Sequence, residues 1–257
     1  MLSHADDAAA WLSDKEGAMQ DALAPLVEVN SYTENAEGGR KVGTLLFDLF
    51  AIEGIDAVAH PSARFADHLV FRSRPSLSNR DAVALIGHLD TVYPPGTFEG
   101  YRRDGALARG PGVLDMKGGL VVIAFALKAL AATGGLDAVA PVRLVIVADE
   151  EIGSPEGQGV IAAAVTGSSA CLVFEAGRVS DAIITRRCGT GAMTAVASGR
   201  AAHAGNAHAQ GANAIWALAR FTDAVQGLTE YGRGVTVNVG RVTGGQSQNT
   251  VPDHAEA

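Results

Sequence analysis

Residues 82–91 read AVALIGHLDT, and this stretch decides the fold class of the chain. The apolar run is short and lacks helical periodicity, so it predicts a strand buried on both faces. In the α/β sheets that contain such strands, ligands bind beyond the carboxyl ends. His88 and Asp90 stand at that end, and residues two apart in an extended segment point to the same side. Asp90 can therefore hold one nitrogen of His88 while the other binds a metal ion, although the pattern alone also fits ordinary polar residues at a strand end.

The composition of the chain is that of a globular protein. Hydrophobic residues make up 47% and charged residues 19% of 257 residues, which is enough for one large domain or two smaller ones. The formal net charge of −8 argues against nucleic acid as a partner, and no basic run contradicts this. We expect a cytoplasmic protein, because neither a signal peptide nor a membrane-spanning segment is evident.

The two cysteines do not indicate a metal site or a disulfide framework. Cys171 and Cys188 are far apart and lack the C-x-x-C spacing. Cys171 lies in the apolar run ACLVF at residues 170–174, so we expect it to be a buried core residue.

Short apolar runs alternate with amphipathic helices through most of the chain, which predicts a mostly parallel sheet with helices on both faces. We predict helices near residues 6–29, 42–53, 117–132 and 155–165, strands near 55–59, 68–74, 142–148 and 170–174, and a turn at 79–81. After residue 187 the pattern changes to a strand at 193–199, a helix at 211–225 and a strand at 234–241. We therefore predict an α/β catalytic domain over residues 1–187 and a small, incomplete α+β domain over 188–257.

Acidic and imidazole groups fall at corresponding places in this pattern. His88, the pair Glu150–Glu151 and Glu175 each follow an apolar strand, and Asp115 precedes a long helix. Parallel strands deliver their carboxyl ends to one edge of the sheet, where these groups would form a ligand set for zinc or a similar ion. Acidic residues also favour loops and helix N-termini without any metal. Adjacent buried carboxylates repel each other unless a cation lies between them, however, so the complete set favours a metal centre.

The same residues lie in six segments that carry a family resemblance. These segments are GHLDTV at 87–92, GPGVLDMKGG at 110–119, DEEIGS at 149–154, FE at 174–175, GRAAHAG at 199–205 and NTVPD at 249–253. In this order they resemble the motifs of the co-catalytic zinc metallopeptidases, which include glutamate carboxypeptidases, acetylornithine deacetylase, succinyl-diaminopimelate desuccinylase and aminoacylase. The strongest likeness is to the bacterial glutamate carboxypeptidases.

The resemblance implies a centre with two zinc ions. Asp115 would bridge the ions, His88 and Glu175 would complete one site, and Glu151 would bind the other ion. The peptide bond between Asp115 and Met116 would be cis. The family's second metal-binding histidine belongs to a later segment that this chain lacks, so we expect a fragment of a longer protein with one site incomplete.

The resemblance also implies the catalytic roles. Glu150 would be the general base, and Asp90 would orient the metal-binding histidine. The smaller domain would be a lid that forms a homodimer, so that His203 stabilises the oxyanion in the partner's site. Asn249 would help to hold the substrate.

These features predict hydrolysis of an amide bond next to a free carboxylate, with C-terminal glutamate as the candidate residue. The alternatives are a deacylase of N-acyl amino acids and a non-catalytic remnant that only binds. The remaining histidines carry no assigned role: His208 is unassigned, and His4, His60, His68 and His254 are expected at the surface.

Overall fold

The computed structural model describes residues 2–73, 82–105, 107–178, 180 and 182–257. The turn predicted at residues 79–81 lies outside the described residues. The chain divides into two compact units, Met1–Ala182 and Ile183–Ala257. In the part of the chain that the structure describes, no helix combines the length and the hydropathy needed to cross a membrane.

The first unit is a mixed α/β structure. Its helices are α1 (Leu2–Leu12), α2 (Glu16–Glu28), α3 (Ala36–Leu49), α4 (Lys117–Ala132) and α5 (Gly157–Val165). Its strands are β1 (Ile55–His60), β2 (His68–Ser73), β3 (Ala82–His88), β4 (Arg102–Asp104), β5 (Leu107–Arg109), β6 (Val142–Val147) and β7 (Ser168–Val173).

The central sheet has five strands in the order β1-β2-β6-β3-β7. Strand β3 pairs in parallel with both β6 and β7, whereas β2 pairs in antiparallel fashion with β1 and β6. Four of the five strands therefore run in one direction, and only β2 runs against them. This confirms the predicted α/β class, and it places the carboxyl ends of β3, β6 and β7 side by side.

Side chains alternate between two faces of this sheet, and helices cover both. On β6, Leu144 and Ile146 join the large core cluster that contains residues of α2, α3 and α4. Val145 and Val147 point to the other face, where they pack against α5. A strand buried on both faces reads as a continuous apolar run, which is why the sequence of β6 lacks polar alternation.

Several local expectations were wrong. The helix predicted over residues 6–29 is divided into α1 and α2. Cys171 is exposed because β7 is an edge strand. His68 is buried, with 2% of its surface exposed, because β2 lies between β1 and β6.

The second unit contains small sheets and one long helix. Its elements are β8 (Val196–Ser198), β9 (Ala202–His203), α6 (Ala214–Gln226), β10 (Thr243–Gly244), β11 (Thr250–Val251) and β12 (His254–Glu256). Strands β10, β12 and β8 form one antiparallel sheet, and β9 pairs with β11. Helix α6 packs on the larger sheet through Ala214, Leu218 and Ala255. The strand predicted at residues 234–241 is not formed; that segment contributes one isolated bridge, between Glu230 and Val235.

Candidate metal centre

His88 ends β3 and is almost completely enclosed, with 1% of its surface exposed. Its Nδ1 lies 3.3 Å from Asp90 Oδ1 and 3.1 Å from the Asp90 carbonyl oxygen. Its Nε2 faces three other carboxylates, at 3.2 Å from Asp115 Oδ1, 3.6 Å from Glu175 Oε2 and 3.8 Å from Glu150 Oε2. The structure therefore brings together carboxylates from two strand ends and one loop around a single imidazole nitrogen.

Asp90 connects His88 to two other segments. Thr33 Oγ1 donates a hydrogen bond of 2.8 Å to Asp90 Oδ2. The backbone N–H groups of Glu150 and Glu151 donate to the two oxygens of the same carboxylate, each at 3.2 Å. Asp90 thereby fixes both the orientation of the imidazole and the position of the acidic pair. No local motif indicated a role for Thr33, which lies in a polar loop 57 residues before Asp90.

Asp115 comes from the loop that precedes α4. Its peptide bond to Met116 is cis, which confirms that expectation. The Met116 sulfur accepts a hydrogen bond of 3.1 Å from the backbone N–H of His88, so this loop packs directly under the end of β3.

The acidic pair Glu150–Glu151 lies in a short 3₁₀ turn after β6. The preceding residue, Asp149, is fully buried and accepts hydrogen bonds from the N–H groups of Glu156 at 2.8 Å and Gly157 at 2.9 Å. A carboxylate at this position satisfies two N–H groups at the start of α5 and so fixes the turn relative to the helix. On the other side of the turn, His68 Nδ1 accepts a hydrogen bond of 3.2 Å from the backbone of Ala148. Sequence reasoning assigned no role to either side chain.

The pKa values show that the centre has an excess of negative charge. Burial and the carboxylates of Asp115, Asp90 and Glu150 raise the pKa of Glu151 to about 7, although His88 opposes them. Burial also raises the pKa of Glu150. For His88, burial lowers the pKa, but hydrogen bonds with Asp90 and Glu175 outweigh it and raise the pKa to about 11.

The donor set fits a divalent cation. His88, Asp115 and Glu151 each offer a ligand atom, and these atoms lie within 4.8 Å of one another, the one such group among the described residues. An imidazole nitrogen combined with carboxylate oxygens suits zinc and similar ions. A cation here would also relieve the repulsion that raises the pKa values of the glutamates.

His203 and Asn249 lie together in the second unit. His203 pairs with Thr250 across β9 and β11, and the Ala204 N–H donates 2.9 Å to the Asn249 carbonyl oxygen. His203 Nδ1 accepts hydrogen bonds from the N–H groups of Gly205 at 3.1 Å and Asn206 at 3.2 Å. A neutral His203 therefore carries its proton on Nε2 and can donate it from an exposed position.

Comparison with known proteins agrees with this architecture. Residues 84–246 match the profile of Peptidase family M20/M25/M40. Carboxypeptidase G2 from Pseudomonas sp. (strain RS-16) is 27% identical over 250 residues, which cover 95% of this chain and 59% of that protein. The fold is similar to aminopeptidase PepT from Bacillus cereus ATCC 10987, with a TM-score of 0.68 at 20% identity, covering 93% of this chain and 64% of that one.

A second solved structure shows the same fold. The M20 family metallo-carboxypeptidase Sso-CP2 from Sulfolobus solfataricus has a TM-score of 0.58 at 15% identity, covering 93% of this chain and 69% of that one. The chain thus spans 59% of the length of carboxypeptidase G2 and 64% of the length of PepT.

Proposed function

Since the chain belongs to Peptidase family M20/M25/M40, we propose that it hydrolyses an amide bond next to a free carboxylate, with C-terminal glutamate as the candidate residue. The observation that carries the proposal is the single imidazole nitrogen of His88, which faces carboxylates from three other segments within 4 Å. The likeness to a carboxypeptidase supports the choice of reaction.

We propose zinc as the cofactor. His88, Asp115 and Glu175 would hold one ion, and Asp115 and Glu151 would contribute to a second site. A bound zinc ion supplies Lewis acidity for the substrate carbonyl and lowers the pKa of the attacking water. Because His88 is the one imidazole among the described residues of this cluster, we expect one ion to bind tightly. A zinc titration that shows two equally tight ions per chain would contradict this stoichiometry.

Glu150 is the proposed general base. Its carboxylate lies beside His88 Nε2 without taking part in the closest contacts, and its side chain remains 45% exposed, so it is accessible to water and substrate. Burial raises its pKa toward the range where a carboxylate exchanges protons efficiently near neutral pH. Glu150 would accept a proton from the attacking water and pass it to the leaving nitrogen. Asp90 would keep the imidazole of His88 oriented throughout.

The second unit supplies the proposed lid and dimerisation domain, which we place at residues 188–257. His203 would donate its Nε2–H to the oxyanion in the site of the partner subunit, and Asn249 beside it would help to hold the substrate. The hydrogen bonds to His203 Nδ1 support this role, because they use that nitrogen as an acceptor and leave Nε2–H to act as the donor.

The substitution Glu150→Gln tests the reaction. It keeps the size of the side chain but removes the base, so turnover should fall by about 10²- to 10⁴-fold while zinc affinity is retained. Glu156→Gln, an exposed glutamate in the next turn, is the matched control and should be neutral. Unchanged turnover in Glu150→Gln would refute the assignment. Assays with N-acyl glutamate peptides and N-acetyl amino acids side by side separate a carboxypeptidase from a deacylase, and zinc binding without turnover of either would favour a binding function.

A further inference from the structure

Lys117 is the one lysine or arginine that is buried among the described residues. None of its surface is exposed. Its ammonium group donates hydrogen bonds of 2.8 Å to the carbonyl oxygen of Leu26 and 3.1 Å to that of Val29. An amine enclosed in this way is costly unless such bonds compensate for the lost water.

The two acceptors lie at the C-terminal end of α2. Leu26 belongs to the last turn of the helix, and Val29 is its C-cap residue. Carbonyl groups at this end lack partners within the helix and carry the negative end of the helix dipole. A buried ammonium group is therefore well placed here, and it joins α2 to a segment about 90 residues away in the sequence.

On its own side, Lys117 holds the loop that carries Asp115. Its backbone N–H donates a hydrogen bond of 2.7 Å to the carbonyl oxygen of Gly112. Its aliphatic chain lies against Gly112, where an added Cβ would be 3.0 Å from Lys117 Cδ. The loop is thus closed around the lysine, and within it Asp115 reaches His88 Nε2.

The two residues that accept the hydrogen bonds of Lys117 are followed directly by the segment that holds Asp90. Ser31 Oγ donates 2.7 Å to the Leu89 carbonyl oxygen, and the Thr91 N–H donates 3.0 Å back to Ser31. Thr33 completes the segment with its hydrogen bond to the Asp90 carboxylate. The segment that follows Val29 therefore fixes the carboxylate that contacts His88 Nδ1.

We propose that Lys117 is a positioning residue of the metal centre, because its ammonium group bridges the two backbone segments that hold Asp90 and Asp115 against opposite nitrogens of His88. This role rests on the proposed function, since it concerns the same centre. The hydrogen bonds described for the Lys117 ammonium group go to backbone carbonyl oxygens and not to the ligand atoms. Lys117 sets the distance between the two segments, and this distance determines where the ligand atoms lie around His88 Nε2.

A purely structural role makes a different prediction. If Lys117 only filled space, an unbranched apolar side chain of similar length would replace it without loss, and buried charges are often replaced in this way at no cost. Lys117→Met tests this directly, because methionine is unbranched and only one atom shorter than lysine, and it removes both hydrogen bonds. Lys128→Met is the matched control, since Lys128 lies on the same helix and contacts the ring of Phe125 instead.

The experiment measures Co²⁺ binding to the full chain by calorimetry and by the visible absorption spectrum of the bound ion. We expect Lys117→Met to weaken Co²⁺ binding by about 10- to 100-fold, as outer-sphere changes do elsewhere, and to alter the spectrum. Lys128→Met should match the wild type in both. A folded Lys117→Met protein with unchanged affinity and spectrum overturns the role of Lys117, whereas a wild type that binds no Co²⁺ overturns the proposed function instead.

A measurement on the wild type decides the case in which Lys117→Met does not fold. If Lys117 links the segments that hold the ligands, bound Zn²⁺ should slow its acylation by an amine-reactive reagent by about fivefold or more, since linkage is reciprocal. The acylation of Lys128, read from the same peptide map, should not change. Equal rates at Lys117 with and without Zn²⁺ would overturn the proposal.

Discussion

Strands β3 and β7 are neighbours in one sheet, and their surroundings differ sharply. Each contains an apolar run, the two run in parallel, and each brings a residue of the candidate centre to the same edge, with His88 at the end of β3 and Glu175 shortly after β7. Leu85 and Leu172 are directly paired across them, yet 8% of Leu85 is exposed and 48% of Leu172 is. The same kind of sequence therefore gives a core strand in one place and an edge strand in the other, and the order of strands in the sheet makes the difference.

The difference extends to the ligands that the strands carry. His88 is enclosed and contacts other groups through both ring nitrogens, whereas 34% of the Glu175 side chain is exposed. Among the described strands, β3 is hydrogen-bonded on both sides and β7 on one. We infer that β3 supplies the rigid half of the centre and β7 the more adaptable half.

The largest expected difference is in the free energy of unfolding of variants at the paired leucines. Leu85→Ala leaves a cavity against α4 and the core, so it should lower the free energy of unfolding by about 2–5 kcal/mol. Leu172→Ala removes the same atoms from a half-exposed site and should cost less than about 1 kcal/mol. Urea unfolding of the two variants measures both values. Equal losses would show that β7 is covered in solution and that the contrast between the strands is wrong.

Substitutions of the two ligands, His88 and Glu175, should differ by less, and the difference is in zinc affinity. His88→Ala removes the nitrogen that all the carboxylates face, and zinc affinity should fall by at least about 100-fold, or roughly 2.7 kcal/mol. Glu175→Ala removes one exposed carboxylate among several, and the loss should be about 10-fold, or roughly 1.4 kcal/mol. Calorimetric titration with Zn²⁺ gives both numbers. If Glu175→Ala is as damaging as His88→Ala, the edge strand is not the adaptable half.

These contrasts also show what the sequence could and could not predict. The convergence of His88, Glu150 and Glu175 followed from the rule that parallel strands end at one edge, and the structure places these groups together. Helix α4 was predicted with both of its ends, because its apolar run is long and two glycines follow it. The local sequence pattern is sufficient to predict an element where the element's own residues show the hydrophobic periodicity.

The parts that were missed depend on distant segments. Thr33 and Lys117 act through hydrogen bonds to residues 57 and 91 positions away, and no local motif indicates such partners. The burial of His68 and the exposure of Cys171 depend on the position of their strands in the sheet, which alternation alone does not determine. Strand order was the missing information in both cases.

The charge of the centre predicts a dependence of stability on pH in the metal-free protein. Glu151, with its pKa raised from 4.5 to about 7, and His88, raised from 6.5 to about 11, make the folded state bind more protons than the unfolded state. Stability should therefore fall as pH rises from about 4.5 to about 7. Above that range the His88 contribution, complete below about 6.5, is lost as pH approaches 11, but Lys117, whose pKa burial lowers from 10.5 to about 7, offsets this loss because its contribution to stability rises with pH. Saturating Zn²⁺ should reverse this trend between pH 5.5 and 8, because the ion binds deprotonated ligands.

Urea unfolding at several pH values, with a chelator and with Zn²⁺, measures both trends. Glu175→Gln should make the slope of stability against pH shallower in the presence of a chelator, because the hydrogen bond that His88 donates to the Glu175 carboxylate helps to raise the pKa of His88. A metal-free stability that does not change with pH would contradict the charge distribution described for the centre.

The smallest change in stability should come from the outer face of the sheet edge. Val173→Lys on β7 places a charge on a side chain that is already 55% exposed, so the free energy of unfolding should change by no more than about 0.5 kcal/mol. Its effect should instead be on association, because the apolar run at the end of β7 offers an edge to other chains and a lysine blocks such pairing. Val58→Lys is the matched control, since Val58 is 54% exposed on β1 at the opposite edge, where polar residues interrupt the strand.

Light scattering at increasing concentration and the fluorescence of an apolar-surface dye should both fall in Val173→Lys and much less in Val58→Lys. Equal reductions would mean that general hydrophobicity, not the edge formed by β7, drives association, and a wild type that neither scatters nor binds dye would mean that this edge is protected in solution.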